Sequence, residues 1–268
     1  MHASQDVPGQ APVRHPYVHD PSGVVALAHR GFALDGRENS LTAFGAAVDL
    51  GFRYVETDAH ATADGVAVAL HDETLDRTTD GEGMVSELPW SVVRRARIGG
   101  VDPVPMLVDV LGTWPDLRVN VDVKSEYAIA PVAEAIERTA SHDRVCVASF
   151  SAARRRATVA RLSRPVATSA ATGEVARFLV AHRAHARRLA ARALREVDAL
   201  QVPVAQGRLR VVDAGTVAAA HAAGRAVHVW TVDDPDEMHR LLDLGVDGLV
   251  TDRADLLRDV LRARGVWS

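Results

Sequence analysis

Over its second half the chain alternates short apolar runs with longer amphipathic segments, and this alternation limits the fold more than any other feature. Residues 118–124, 145–150, 165–169, 199–202, 226–232 and 248–251 read as strands by length and apolar content. Helices are predicted between and after them, at 130–140, on to Leu162, then at 174–196, 213–223, 235–244 and 254–264, with Gly224 just past the end of one of them. Two further strands precede this region. Residues 24–28 form the first and 52–58 the second. Between them Ser40 caps a helix that carries Leu41, Phe44, Val48 and Leu50 and stops at Gly51. Strands that alternate with helices imply a parallel sheet. Eight such units predict an α/β fold of the (β/α)8 TIM barrel type. An open doubly wound sheet is the alternative, but no glycine-rich dinucleotide fingerprint follows the first strand.

Two extensions depart from the plain barrel. Only a few residues around Asp64-Gly65 separate the second strand from the apolar run 66–70, too few for a parallel crossover. Asp-Gly between apolar runs is a hairpin signal, so the 66–70 strand returns antiparallel. With Asp64 and Gly65 as the two loop residues, His71 comes to lie opposite Asp58. Residues 73–105 then lack a clean period and are rich in Gly, Pro and charge. They are read as a small insertion over the mouth of the barrel, because a loop this long in a compact domain is usually functional. The predicted organisation is a mobile N-terminal tail over 1–23, rich in proline, followed by a single barrel domain over 24–268.

Composition narrows the function classes. A net charge of -4 argues against nucleic acid as a partner of the whole molecule. No apolar run is long enough to cross a membrane, so no stable membrane insertion is expected. The one cysteine, Cys146, cannot make an internal disulfide and lies in an apolar run; a buried thiol and a reducing, cytoplasmic compartment are expected. No export signal of the usual apolar kind is found in the first twenty or so residues. Oligomeric state is left open.

Functional groups of such barrels project from the C-terminal ends of strands. His29 and Arg30 end the first strand. Glu56 and Asp58 are two apart on the second and share a face, as do Asp122 and Lys124 on the third. Trp230 is near the end of the seventh strand and Asp252 just past the eighth. Carboxylates this close together repel unless a cation joins them, and an all-oxygen set suits a hard divalent ion, Mg2+ or Ca2+. Arg30 and Lys124 beside it suit a phosphate. Two histidines, His29 and His71, can act as general acid and base near neutral pH. Metal, anion clamp and acid–base pair together describe phosphodiester cleavage.

The sequence resembles the glycerophosphodiester phosphodiesterase family. The resemblance rests on His29-Arg30-Gly31, Glu38-Asn39-Ser40, Glu56-Thr57-Asp58, Asp64-Gly65, His71-Asp72, Arg77-Thr78-Thr79-Asp80-Gly81, Val121-Asp122-Val123-Lys124, Trp230-Thr231-Val232 and Asp247-Gly248-Leu249-Val250-Thr251-Asp252. These pieces span nearly the whole chain from Val24, in the family's order. The resemblance implies a barrel with an insertion after the second strand. It implies hydrolysis of glycerophosphodiesters, such as glycerophosphocholine and glycerophosphoethanolamine, to glycerol 3-phosphate and an alcohol. It assigns His29 and His71 to acid–base catalysis, Glu56, Asp58 and Asp122 to the metal, and Arg30 and Lys124 to the phosphate. Asp122 stands where the family usually has Glu, one methylene longer, which bears on metal identity and affinity.

Plainer readings stand beside these. Asp122 and Lys124 can be an internal ion pair. Glu38 and Asn39 either orient the first loop or touch substrate. Phe150 and Trp230 either pack at the rim or, with Glu38, line the alcohol pocket. Asp252 is read as the N-cap of the last helix rather than a catalytic group. The basic stretch with His182, Arg183, His185, Arg187, Arg188, Arg192 and Arg195 reads as the solvated face of an outer helix. Alternative functions are a phospholipase-type phosphodiesterase acting on lysolipids and a non-catalytic barrel that binds an anion.

Overall fold

The structure, a computed structural model, describes residues 15–267. In chain order the first half contains β1 (Val25–Ala28), α1 (Leu41–Asp49), β2 (Tyr54–Ala61), β3 (Ala67–Ala69), α2 (Trp90–Val93), β4 (Arg97–Ile98), β5 (Asp102–Pro103), α3 (Leu107–Thr113), β6 (Arg118–Val123) and α4 (Ile129–Arg138). There follow β7 (Val145–Ala148), α5 (Ala152–Val159), β8 (Ala167–Thr168), α6 (Thr172–Arg183), α7 (Arg187–Ala193), β9 (Ala199–Pro203), β10 (Ala205–Gln206) and β11 (Leu209–Arg210). The chain ends with α8 (Ala214–Ala222), β12 (Ala226–Trp230), α9 (Pro235–Asp243), β13 (Gly248–Thr251) and α10 (Ala254–Ala263).

Eight parallel strands run in the order β8-β7-β6-β2-β1-β13-β12-β9. A parallel bridge between Ser169 and Ala199 joins the two ends, so the sheet closes into the predicted (β/α)8 barrel. The alternation along each strand builds two cores. Outward residues such as Val55, Val119, Val121, Val147, Val227 and Leu249 pack under the helices. Inward residues fill the barrel floor with Leu27, Tyr54, Cys146, Ala199, Ala226 and Val250. Above that floor lies a polar layer, in which Gln201 Nε2 donates to Asn120 Oδ1 at 3.0 Å and lies 3.4 Å from His228 Nδ1. The carboxylates of the site stand above this layer.

Three expectations change. The tail expected over 1–23 has residues 1–14 outside the described residues, but from His15 it packs against the barrel. A 3-10 turn, Pro16–Val18, buries Tyr17 and Val18 in the floor cluster. Tyr54 Oη donates to the Tyr17 carbonyl at 3.0 Å. Pro16, one of the prolines that suggest a loose tail, opens this turn.

The hairpin register is one residue off. Asp58 pairs with Leu70, whose N–H donates to the Asp58 carbonyl at 3.1 Å, rather than with His71. Three residues, 63–65, form the loop, with Gly65 at φ 81°. A left-handed third residue of this kind belongs to a three-residue hairpin, which shifts the pairing by one.

The helix expected over 174–196 is two helices, α6 and α7, broken at His185, which has φ 55°. The small hairpin of β10 and β11 was not anticipated. The insertion forms its own cluster, in which Val68 and Leu70 of the hairpin arm pack on Leu75, Val85, Ile98 and Val104.

Candidate active site

The mouth of the barrel is built by the loop after β1. His29-Arg30-Gly31 turns sharply, with Arg30 at φ 54° and Gly31 at φ 85°. A Cβ at Gly31 would lie 2.6 Å from the Ala43 carbonyl carbon, so only glycine lets the loop pass α1 this closely. The loop returns through Asn39, buried and also left-handed at φ 60°. Asn39 Nδ2 donates to Asp58 Oδ2 at 3.1 Å, and Asn39 Oδ1 accepts from Thr57 Oγ1 at 2.7 Å. Asn39 therefore orients Asp58.

The three carboxylates differ in how they are satisfied. Asp58 Oδ1 lies 2.8 Å from Lys124 Nζ, and its Oδ2 lies 3.0 Å from Arg30 Nε. Burial raises the cost of its charge, but Lys124 and Arg30 outweigh it and hold the carboxyl below the usual range. Glu56 is less well served. It accepts from the Arg30 N–H at 3.3 Å and lies 3.8 Å from His29 Nε2. Burial, then the neighbouring Asp58 charge, pushes it up to about 8. Asp122 is beside Asp58 in the β2–β6 register, and its Oδ2 is 2.8 Å from Lys124. Its Oδ1 is buried without a hydrogen-bond partner among the described residues. Lys124, the one lysine in the sequence, thus bridges Asp58 and Asp122, as the ion-pair reading anticipated. Among the described residues, no three His, Cys, Asp or Glu side chains are gathered as ready ligands.

Each of the two histidines has its Nδ1 on a carboxylate. His29 Nδ1 lies 2.7 Å from Asp252 Oδ1. Burial lowers the His29 pKa, but the Asp252 hydrogen bond and the Glu56 charge raise it further, so the net shift is upward. Asp252 does not cap the last helix, where Arg253 holds the N-cap position without a side-chain bond. Barrel closure sets β13 beside β1, with the His29 N–H on the Thr251 carbonyl at 2.8 Å, and this turns Asp252 towards His29. His71 Nδ1 lies 2.6 Å from Asp72 Oδ1.

Asp72 is in turn clamped by Arg77 at the start of the insertion, Nε to Oδ2 at 2.5 Å and Nη2 to Oδ1 at 3.0 Å. The Arg77 hydrogen bond holds Asp72 well below the ordinary carboxylate range. Arg77 Nη2 also reaches Glu38 Oε1 at 2.8 Å, and the same oxygen accepts from Arg30 Nη1 at 2.9 Å. A continuous chain, Arg30–Glu38–Arg77–Asp72–His71, thus ties the first loop to the hairpin. Glu38 is engaged by two arginines within it. Phe150 and Trp230 meet edge to face at 6.1 Å, and Lys124 Nζ stands 5.7 Å from the Phe150 ring centroid. Arg77 and Asp252 lay within the quoted motifs, but nothing local in the sequence gave their partners.

Residues 29–256 match the Glycerophosphoryl diester phosphodiesterase family. The "Probable glycerophosphodiester phosphodiesterase 2" of Mycobacterium tuberculosis is 49% identical over 246 residues, covering 91% of this chain and 93% of that protein. A glycerophosphodiester phosphodiesterase of Caldanaerobacter subterraneus is 28% identical over 90% of this chain and 99% of its own. Among solved structures, a Silicibacter pomeroyi protein described as a putative glycerophosphoryl diester phosphodiesterase superposes with a TM-score of 0.78 at 22% identity, covering 96% of this chain and all of that one. An Oleispira antarctica phosphodiesterase, solved in complex with the product sn-glycerol-3-phosphate, superposes with a TM-score of 0.72 at 21% identity, over 88% of this chain and 96% of its own.

Proposed function

The chain belongs to the glycerophosphoryl diester phosphodiesterase family, and we propose that it hydrolyses small glycerophosphodiesters, such as glycerophosphocholine and glycerophosphoethanolamine, to glycerol 3-phosphate and an alcohol. The observation that carries this reading is the pair of histidines, each with Nδ1 on its own carboxylate. That bond orients each ring and leaves Nε2 for proton transfer. One Nε2 takes a proton from the attacking oxygen, either water or the neighbouring glycerol hydroxyl that closes a cyclic phosphate which water then opens, and the other gives a proton to the alcohol oxygen as its bond to phosphorus breaks. Arg30 and Lys124 hold the phosphate oxygens and keep the diester in line with both rings. The single cysteine, Cys146, cannot form an internal disulfide, which is compatible with a reducing, cytoplasmic location.

A hard divalent cation, Mg2+ or Ca2+, fits the donor set. The partnerless Asp122 Oδ1 and the poorly neutralised Glu56 are the oxygens such an ion would satisfy, with Asp58 as the third. When bound, it would draw negative charge from the phosphoryl oxygens as the transition state forms. The shorter Asp122 brings its carboxylate less far into the mouth than Glu would.

A second reading, cleavage of lysolipids, is favoured by exposed apolar side chains on three mouth loops. Leu34 after β1, Tyr127 after β6 and Phe150 after β7 are 63%, 72% and 59% exposed. The test is product release from a panel containing glycerophosphocholine, glycerophosphoethanolamine and lysophosphatidylcholine. Turnover of the two water-soluble diesters in preference to the lysolipid supports the first reading; preference for the lysolipid overturns it in favour of the second.

A further inference from the structure

The basic stretch on the outer wall takes no part in the site. Residues 175–195 contain six arginines and two histidines, with Glu174 and Glu196 immediately on either side, against a net charge of -4 for the whole chain. Among the described residues, Arg177, Arg187, Arg188 and Arg192 make no salt bridge, whereas Arg195 pairs with Glu196 at 3.2 Å. The break at His185 folds α7 back against α6, and a groove of about 670 Å³ opens between them. Its floor is alanine, including Ala181, Ala184 and Ala193, and Val180 and Leu189 line it while 70% and 59% exposed. Arg177 and Arg192 line it together with two carboxylates, Glu174 and Glu196, which Arg155, Arg156 and Arg195 already neutralise.

We propose that this α6–α7 face docks on the surface of an anionic phospholipid bilayer. Unpaired guanidiniums match the phosphate groups of such a surface, bidentately and without loss of existing ion pairs. Val180 and Leu189, set between the arginines, give the face an apolar strip that can enter the acyl boundary. A nucleic-acid surface would have no use for that strip, and the one aromatic of the stretch, Phe178, is buried and unable to stack on bases. Docking is peripheral, since no helix among the described residues is long and apolar enough to cross a membrane.

The test is co-sedimentation of the full chain with vesicles of phosphatidylcholine containing one third phosphatidylglycerol, and with vesicles of phosphatidylcholine alone. Binding is expected only to the anionic vesicles, and it weakens as salt screens the arginines. The double variant Arg188→Glu/Arg192→Glu is expected to bind at least ~10-fold more weakly, because each basic residue near such a surface contributes about fivefold. Leu189→Ser is expected to lose several-fold. Thermal melts that match the wild type confirm that the variants fold. Absence of binding at low salt overturns the proposal, as does a double variant that binds like the wild type. Equal binding to duplex DNA, unaffected by Leu189→Ser, also overturns it and marks the face as a general polyanion surface. Vesicle binding is read without turnover, so this outcome is separable from the reading of the active site.

Discussion

Nδ1 of His29 lies 2.7 Å from Oδ1 of Asp252, a residue 223 positions further along the chain. The contact exists because the barrel closes β13 against β1. It turns Nε2 of His29 towards Glu56, the side where a phosphate would sit. Asp252→Ala is expected to lower kcat roughly 10–100-fold with little change in KM, since the carboxylate orients the ring without touching substrate. Steady-state kinetics on a glycerophosphodiester decide this, and a rise in KM alone would assign Asp252 to binding instead.

Arg77 joins Glu38 to Asp72 and so holds His71 from the insertion. Arg77→Ala is expected to reduce kcat by roughly tenfold or more. Arg77→Lys is expected not to restore it, because one ammonium cannot replace the fork that meets two carboxylates. Recovery of full activity in the lysine variant would show that only charge matters at this position.

His228 lies fully buried in the polar layer, and burial, opposed by Asp247, holds its pKa at about 4 against an ordinary 6.5. Between those values the unfolded chain binds a proton that the folded chain does not. The contribution is therefore present in full above pH 6.5 and is lost as pH falls through about 4, amounting to on the order of 3 kcal/mol. Urea unfolding followed from about pH 7 to about pH 4.5 should show stability falling with acid, and His228→Gln should flatten that slope. Parallel slopes for the two proteins would contradict the role given to His228.

Tyr17 seals the barrel floor. It is fully buried and meets the Tyr54 ring edge to face at 5.4 Å, but its hydroxyl has no hydrogen-bond partner among the described residues. Tyr17→Ala is expected to cost about 3–5 kcal/mol as a cavity opens. Tyr17→Phe, which removes only an unpaired buried hydroxyl, should be neutral or slightly stabilising. Denaturant midpoints for the two variants test the pair of expectations, and equal losses would show that the hydroxyl carries the contribution.

What could be read from the sequence was what local pattern carries. Strand runs such as 118–124 and 226–232 gave the barrel, and the spacing of Glu56 with Asp58 and of Asp122 with Lys124 put each pair on one face. What escaped was set by distance or by single backbone angles. Asp252 looked like a helix cap because its partner is at the far end of the chain. Asp-Gly signals a two-residue loop that would put His71 opposite Asp58, whereas Gly65 takes the third place of a longer one. His185 sits in an uninterrupted helical pattern, and nothing around it signals the left-handed turn that splits α6 from α7. Tyr17 was lost among prolines, since a lone aromatic carries no period.

The measurement that tests the central claim most directly is release of glycerol 3-phosphate from glycerophosphocholine by the purified protein. It is run after chelation, after addition of Mg2+ or Ca2+, and with His29→Ala and His71→Ala. The account predicts release that is lost on chelation, restored by one of the two ions, and absent in both histidine variants. Release that persists in both variants would contradict it.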